Sequence, residues 1–97
     1  MEELEKKVLY MLCCHCLDTY CGYLPLPSTL ISKDLNISLY RARKILSALK
    51  GYGYIESFCY SETDEEGNHI LRGYRITNNA KKTEEYKKAE KAVYNTV

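Results

Sequence analysis

Residues 28–55 read STLISKDLNISLYRARKILSALKGYGYI, and this stretch decides the fold. A serine that follows a proline is a favourable N-cap, so the pattern predicts a short helix over residues 28–35. Asn36 tolerates left-handed geometry and predicts a tight turn. The turn is followed by a longer amphipathic helix, predicted over residues 38–51 with Ser38 as its N-cap. Two helices joined in this way form a helix-turn-helix arrangement.

The flanking segments complete an α+β pattern. Apolar residues at helical spacing predict a first helix over residues 1–20, and its wide apolar arc requires cover from the last helix or from a partner subunit. Aromatic and β-branched residues around a polar segment predict an antiparallel hairpin over residues 54–76. A Lys- and Glu-rich helix is predicted over residues 78–95. The expected fold is mainly α with a small antiparallel β-hairpin, in one domain over residues 1–97.

The segment SLYRARKILSALKGYGYI resembles the recognition helix and the start of the wing in winged-helix transcription regulators. The resemblance lies in the spacing of Ser38, the inward Ala42 and Leu46, and the glycines that follow. YRIT, at residues 74–77, is similar to the end of the wing in the MarR and PadR groups, although Ala80 stands where those groups commonly have glycine. The resemblance implies a three-helix core with a wing and a C-terminal helix. It also implies a sequence-specific DNA-binding regulator, acting as a homodimeric repressor.

The predicted third helix carries polar and cationic side chains away from its apolar side. Tyr40, Arg41 and Lys44 are expected near base edges, and Arg43 is expected on a phosphate. The N-terminus of the second helix can also hold a phosphate. The predicted DNA-binding residues are Ser28, Thr29, Ser38, Tyr40, Arg41, Arg43, Lys44, Ser47 and Arg72.

The charge distribution gives a mixed signal. The net charge is only +1, but residues 28–60 carry five positive and two negative charges. Residues 61–68 carry four negative charges and no positive one, and phosphates would repel such a hairpin tip. Either the tip is held away from the duplex and keeps the hairpin edge soluble, or the domain does not bind DNA by the usual route. The alternative function is a winged-helix module for protein–protein interaction without DNA binding.

The terminal helices are expected to build the homodimer. The last helix has an apolar stripe at a spacing that suits either packing on its own domain or pairing with another helix. A two-fold dimer would present two recognition helices to half-sites about one DNA turn apart. The expected interface residues are Leu9, Cys13, Cys16, Leu17, Tyr86, Ala89, Val93 and Val97.

The cysteines raise a metal or redox hypothesis. The chain has five, an odd number, and four fall within a short helical stretch, which is a poor disulfide framework. Cys13 and Cys16 share one side of a helix, with His15 and Cys21 nearby. No second pair with zinc-ligand spacing follows, since only Cys59 and His69 remain. We therefore expect reduced packing residues and no metal.

Other functions find little support in the sequence. There is no nucleophile–base set, no Gly-rich phosphate loop and no paired-carboxylate motif, so we expect neither an enzyme nor a cofactor. A small-molecule effector stays open. No apolar run approaches the roughly 18 residues of a membrane span, and the N-terminus MEELEKK lacks the basic start of a secretory signal. We expect a soluble, cytoplasmic protein.

Overall fold

The computed structural model describes residues 1–94, and the longest connection between its elements is the segment 18–27. A 3-10 helix, Asn78–Lys82, lies between the hairpin and the last helix. The predicted α+β class, with one antiparallel hairpin, is confirmed. The helices and strands are α1 (Glu3–Leu17), α2 (Ser28–Leu35), α3 (Leu39–Gly51), β1 (Ile55–Asp64), β2 (Gly67–Ile76) and α4 (Glu84–Tyr94).

Helix α1 is shorter than the predicted range 1–20. Glu5 accepts a hydrogen bond from the backbone N–H of Glu2 at 2.8 Å and so closes the first turn. At the other end, the Asp18 carboxylate accepts from the backbone N–H groups of Cys21 and Tyr20, at 3.0 and 2.8 Å. These two donors, Cys21 first, hold the pKa of Asp18 below its ordinary value. The side chain thus competes with the helix for backbone donors and ends it early.

The turn between α2 and α3 has the predicted geometry at Asn36, whose φ of 54° lies in the left-handed region. The Ser38 hydroxyl accepts from the backbone N–H of Arg41 at 3.1 Å and caps α3 as predicted. The predicted cap of α2 is wrong, because Pro27 occupies the N-cap and Ser28 is already the first helical residue. Proline has no side-chain acceptor, so α2 begins without a side-chain cap and its first N–H groups stay available to another acceptor.

The core lies between the inner sides of α1, α3 and α4 and the base of the hairpin. Helix α1 packs on both α3 and α4, which supplies the cover that its wide apolar arc requires. Each large aliphatic side chain in such a core contributes roughly 1.5–3 kcal/mol through burial. The largest fully buried side chains are Val8, Leu9, Leu12, Cys13, Ile31, Leu46 and Leu49.

The hairpin pairs β1 with β2 from Ile55 opposite Ile76 to Asp64 opposite Gly67, and residues 65–66 form the turn. Because side chains alternate along a strand, the hairpin has two faces. Ile55 and Ile76 are buried against the core. Their face, the inner face, continues outward through Ser57, Cys59, Arg72 and Tyr74. The opposite side, the outer face, carries Glu56, Phe58, Tyr60, Glu62, His69, Leu71 and Arg75.

Gly73 lets the segment before α2 pair with the hairpin. Leu26 and Tyr74 exchange both backbone hydrogen bonds, at 2.9 and 3.0 Å, as an isolated antiparallel bridge. A Cβ at Gly73 would lie 2.5 Å from the Leu26 carbonyl oxygen, so only glycine fits this crossing. The bridge fixes the start of α2 beside the base of the hairpin.

The predicted helix over residues 78–95 is interrupted. After the 3-10 helix, Thr83 is extended, and its hydroxyl donates to the Ala80 carbonyl at 2.6 Å and accepts from the Tyr86 N–H at 3.3 Å. Thr83 therefore starts α4 anew. Thr77 precedes the 3-10 helix but does not cap it, because its hydroxyl donates to the Gly53 carbonyl at 2.5 Å. The predicted end at residue 95 lies outside the described residues.

Replacing Gly73 by alanine is expected to lower the free energy of unfolding by about 1–3 kcal/mol, because the new Cβ would collide with the Leu26 backbone. Gly51→Ala is the matched control, since no atom lies within 4 Å of a Cβ there. A helical Gly→Ala change of this kind stabilises by up to about 1 kcal/mol. Urea denaturation measures both, and an equally small effect at the two positions would contradict the close crossing.

Candidate nucleic-acid interface

The outer side of α3 is open to solvent. Its inner side is buried by Ala42, Leu46 and Leu49, each fully covered. On the other side Tyr40 is 75% exposed. No part of the described chain covers this surface. The predicted contact residues exposed on α3 or at its cap are Ser38, Tyr40, Arg41, Arg43, Lys44 and Ser47.

One flank of α3 borders a cleft of about 460 Å³, which we call the cationic cleft. The structure brings together here four predicted contacts from three elements: Ser28 and Thr29 of α2, Arg43 of α3 and Arg72 of β2. Within residues 1–94, no carboxylate lines the cleft. The other lining residues are Pro27, Ser57, Phe58, Cys59, Gly73 and Tyr74.

The cationic cleft has the chemistry of a phosphate site. The first N–H groups of α2 have no intrahelical partner and point out of its N-terminus, where the helix dipole favours an anion. Arg43 and Arg72 add two full positive charges, and neither makes an ion pair within residues 1–94. Guanidinium groups match phosphate oxygens in a bidentate fashion. The cleft can therefore hold a phosphodiester between α2 and the hairpin.

The opposite flank of α3 borders a second cleft, of about 560 Å³, which we call the mixed cleft. Arg41 and Lys44 line it together with Glu2 and Glu5 from α1. Neither carboxylate lies within ion-pair distance of the two cations. Glu5 instead accepts from the Tyr52 hydroxyl at 3.4 Å, and its charge raises the pKa of Tyr52. A phosphate here would meet negative charge, so this flank suits base edges better than the DNA backbone.

Lys50 was not predicted from the sequence among the cations on the exposed side of α3. Its Nζ donates to the Ser57 hydroxyl at 3.1 Å, which places the charge where α3 meets the inner face of the hairpin. Lys50 lies seven residues after Arg43, two turns further along the same side of the helix. That spacing is visible in the sequence and could have identified it.

The acidic tip is far from the cationic cleft. Arg72 pairs with Cys59, which is five residues from Asp64, a distance of about 17 Å along the strand. Exposed charges separated by more than a Debye length of about 8–10 Å are largely screened at physiological ionic strength. One carboxylate of the tip already has a partner, since Nε2 of His69 lies 3.0 Å from Oδ2 of Asp64. Glu62 is nearer, three residues or about 10 Å from Cys59 along the strand, so screening separates Asp64, Glu65 and Glu66 from the cleft more fully than it separates Glu62.

The predicted dimer interface needs correction. Leu9, Cys13 and Ala89 have no exposed surface, because α1 and α4 of one chain pack on each other and cover them. From the sequence, either the last helix or a partner subunit could cover the apolar side of α1. In the structure, α4 of the same chain covers it. The other predicted interface residues in the described chain are half-buried, and Val97 lies outside the described residues. The half-buried ones are Cys16, Leu17, Tyr86 and Val93.

A different surface on α1 and α4 is left open. Tyr10 and Met11 of α1 line a groove of about 690 Å³ together with Leu35 of α2 and the first turns of α4. The charged residues around the groove are balanced in sign. They are Glu3, Lys6, Lys7, Glu84, Glu85 and Lys88.

The cysteines are free thiols in different environments. Cys13 is buried, Cys14 and Cys16 are half-buried, and Cys21 and Cys59 are exposed. Within residues 1–94, no three His, Cys, Asp or Glu side chains are grouped so that they could hold a metal ion. His15 instead donates from Nε2 to the Leu24 carbonyl at 2.8 Å, which ties the loop after α1 to the helix.

Cys13 is expected to resist alkylation in the folded protein. Burial, followed by nearby Cys14, Cys16 and Glu85, raises the pKa of its thiol from 9.0 to about 12. At pH 8 this leaves about a thousandfold less thiolate, which is the reactive form. Iodoacetamide labelling followed by mass spectrometry should modify Cys21 and Cys59 and spare Cys13 until denaturant is added. Equal rates at Cys13 and Cys59 in the native protein would contradict this environment.

Neither a membrane-spanning helix nor a similar known protein identifies the function of this chain. No helix in the described part of the chain is long and apolar enough to cross a membrane. No protein-family model matches the chain, and no curated protein matches it significantly.

Proposed function

We propose that the chain is a winged-helix protein that binds duplex DNA in a sequence-specific manner and acts as a transcriptional repressor by occupying an operator. The observation that carries the proposal is the uncovered outer side of α3, with unpaired cations on both flanks. The order of elements supports it: three helices, a hairpin as the wing, and the Leu26–Tyr74 bridge as the rudiment of a third strand.

In the proposed complex, α3 lies in the major groove, whose width of about 12 Å admits a helix. Tyr40 and Ser47 point toward base edges, with Arg41 and Lys44 on the flank that also holds Glu2 and Glu5. The cationic cleft receives a phosphate of the adjoining strand. Phosphate contacts set the register of the helix, and the groove contacts discriminate between sequences.

We further propose that the regulator is a homodimer and that the two copies meet at the groove lined by Tyr10 and Met11. An isologous interface must be complementary to itself. The three lysines and three glutamates around this groove support the proposal, because a surface with equal numbers of the two signs does not repel a second copy of itself through net charge.

A protein-interaction module is the second candidate function. The observation that favours it is the acidic hairpin tip, where Glu62, Glu65 and Glu66 have no ion-pair partner in the described chain. Such a tip would repel a DNA backbone that approached it. Binding to duplex DNA at two salt concentrations separates the two candidates, because a DNA binder weakens steeply as salt rises, whereas an interaction module does not bind the duplex even at low salt.

The DNA proposal predicts that the two flanks of α3 have different roles. An operator is first selected from a random duplex pool, and binding is measured at several salt concentrations. Arg41→Ala with Lys44→Ala should abolish the preference for the selected sequence with little change in thermal stability. Arg43→Ala with Arg72→Ala should weaken binding to all duplexes and reduce the salt slope by about two.

Lys87→Ala with Lys91→Ala is the control, since it removes the same charge from the exposed side of α4. This control should bind the operator almost as the parent protein does. Absence of binding to any duplex at low salt would reject DNA binding and favour the interaction module. Normal operator binding by the Arg41/Lys44 variant would reject the assignment of the base-contacting flank.

The dimer proposal predicts sensitivity to charge in the groove. Lys7→Glu with Lys88→Glu leaves one lysine among five glutamates, so two copies would repel each other there. Sedimentation equilibrium should show dimers for the parent protein and monomers for this variant. Lys81→Glu with Lys87→Glu makes the same charge change on exposed residues outside the groove and should stay dimeric. A parent protein that is monomeric at every concentration would overturn the proposal.

A further inference from the structure

The outer face of the hairpin carries a repeated chemical pattern. Along β1 the residues on this face are Glu56, Phe58, Tyr60 and Glu62. They form two pairs, each of one aromatic ring and one carboxylate two residues away, arranged as mirror images about the middle of the strand. The two pairs differ in whether a cationic side chain of the same chain contacts them.

The first pair already holds a guanidinium. Arg75 of β2 donates from Nε to the Glu56 carboxylate at 2.6 Å. Its guanidinium carbon lies 4.0 Å from the centre of the Phe58 ring, so the cation stacks on the ring while it is paired. This is the geometry of a cation–π contact supported by an ion pair.

The second pair has no such cation. His69 stands opposite Glu62 but turns to Asp64, at 3.0 Å. Within residues 1–94 no Lys or Arg lies within ion-pair distance of Glu62. Tyr60 is instead joined edge-on by Tyr23, with ring centres 5.3 Å apart, and the two rings form an aromatic corner.

Exposed apolar surface surrounds this corner. Tyr23 is 60% exposed, and Leu71, which stands opposite Tyr60, is 46% exposed. Beyond them lie the carboxylates of the tip. A sheet face with aromatic, aliphatic and negatively charged groups is complementary to a segment with cationic and apolar side chains.

We propose that the outer face of the hairpin docks an arginine-bearing segment of a protein partner. A partner guanidinium stacks on Tyr60 and pairs with Glu62, as Arg75 does on Phe58 and Glu56, and an apolar partner side chain covers Leu71 and Tyr23. Arginine fits better than lysine, because only the planar guanidinium can stack on a ring and at the same time donate two hydrogen bonds to a carboxylate. The excess of carboxylates disfavours nucleic acid as the occupant.

This surface is separate from the proposed DNA interface. Of the outer-face side chains only Phe58 lines the cationic cleft, whereas Tyr60, Glu62 and Leu71 do not line it. A partner could therefore dock while α3 occupies a major groove. The inference does not depend on DNA binding, and its assay contains no DNA.

The test uses a fluorescein-labelled peptide of alternating arginine and leucine, with anisotropy measured against the full chain at low salt. We expect saturable binding that weakens when lysine replaces arginine and disappears when glutamate replaces it. Tyr60→Leu with Glu62→Gln should weaken binding about tenfold, because a cation–π contact and an exposed ion pair are lost together. Glu62→Gln alone, which leaves the aromatic corner intact, should weaken it less.

Tyr94→Leu with Glu90→Gln is the matched control, because these residues of α4 line neither the groove nor the two clefts, and it should bind as the parent protein does. Amide chemical shifts of the isotope-labelled parent protein locate the peptide without any substitution. Shifts confined to residues around Tyr23, Tyr60 and Leu71 support the proposal. No binding at low salt, equal affinity for the glutamate peptide, shifts confined to other elements, or preferential binding of single-stranded nucleic acid to this face would each overturn it.

Discussion

The burial of one side of α3 against α1 is the constraint on which the rest of the molecule depends. Leu46 and Leu49 are fully covered, as are Val8 and Leu12 of α1. Since deleting a buried leucine side chain costs roughly 2–5 kcal/mol, this contact fixes the rotation of α3 about its own axis. Once the rotation is fixed, the polar side chains of α3 must point into solvent. Core packing alone therefore exposes the cations of α3, and no further contact is needed to hold them there.

The second constraint is the crossing of two backbones at Gly73. Rotation of α3 alone would leave Arg43 as an isolated surface charge. The bridge between Leu26 and Tyr74 places the start of α2 beside the hairpin, and Arg72 comes from the residue just before the crossing. Three elements that are distant in sequence thus contribute to one cleft. A substitution that loosens the crossing would therefore move Ser28 and Thr29 away from Arg72.

The parts of the fold that the sequence predicted well are those with strong local signals. The turn at Asn36, the cap at Ser38 and the inner side of α3 depend on neighbours within a few residues. The ends of α1 and the break at Thr83 were missed because they depend on side chains that compete with the helix for backbone groups. Helical periodicity contains no information about that competition. The cover of Leu9 and Cys13 was ambiguous for another reason, since an apolar side chain does not specify whether its partner belongs to the same chain.

The candidate site was predictable residue by residue but not as an arrangement. The sequence shows that Arg41 and Arg43 lie on opposite flanks of a helix, but it cannot show that Glu2 and Glu5 share one flank while Arg72 shares the other. The same is true of the hairpin, where composition alone suggests a conflict between a cationic helix and an acidic tip. Antiparallel register reduces the conflict, because it separates Arg72 from Asp64 by about 17 Å along the strand, and screening then weakens the effect of the end of the tip on the cleft. A long hairpin can therefore present a cationic base to one polyanion and an acidic, aromatic outer face to a partner of opposite charge.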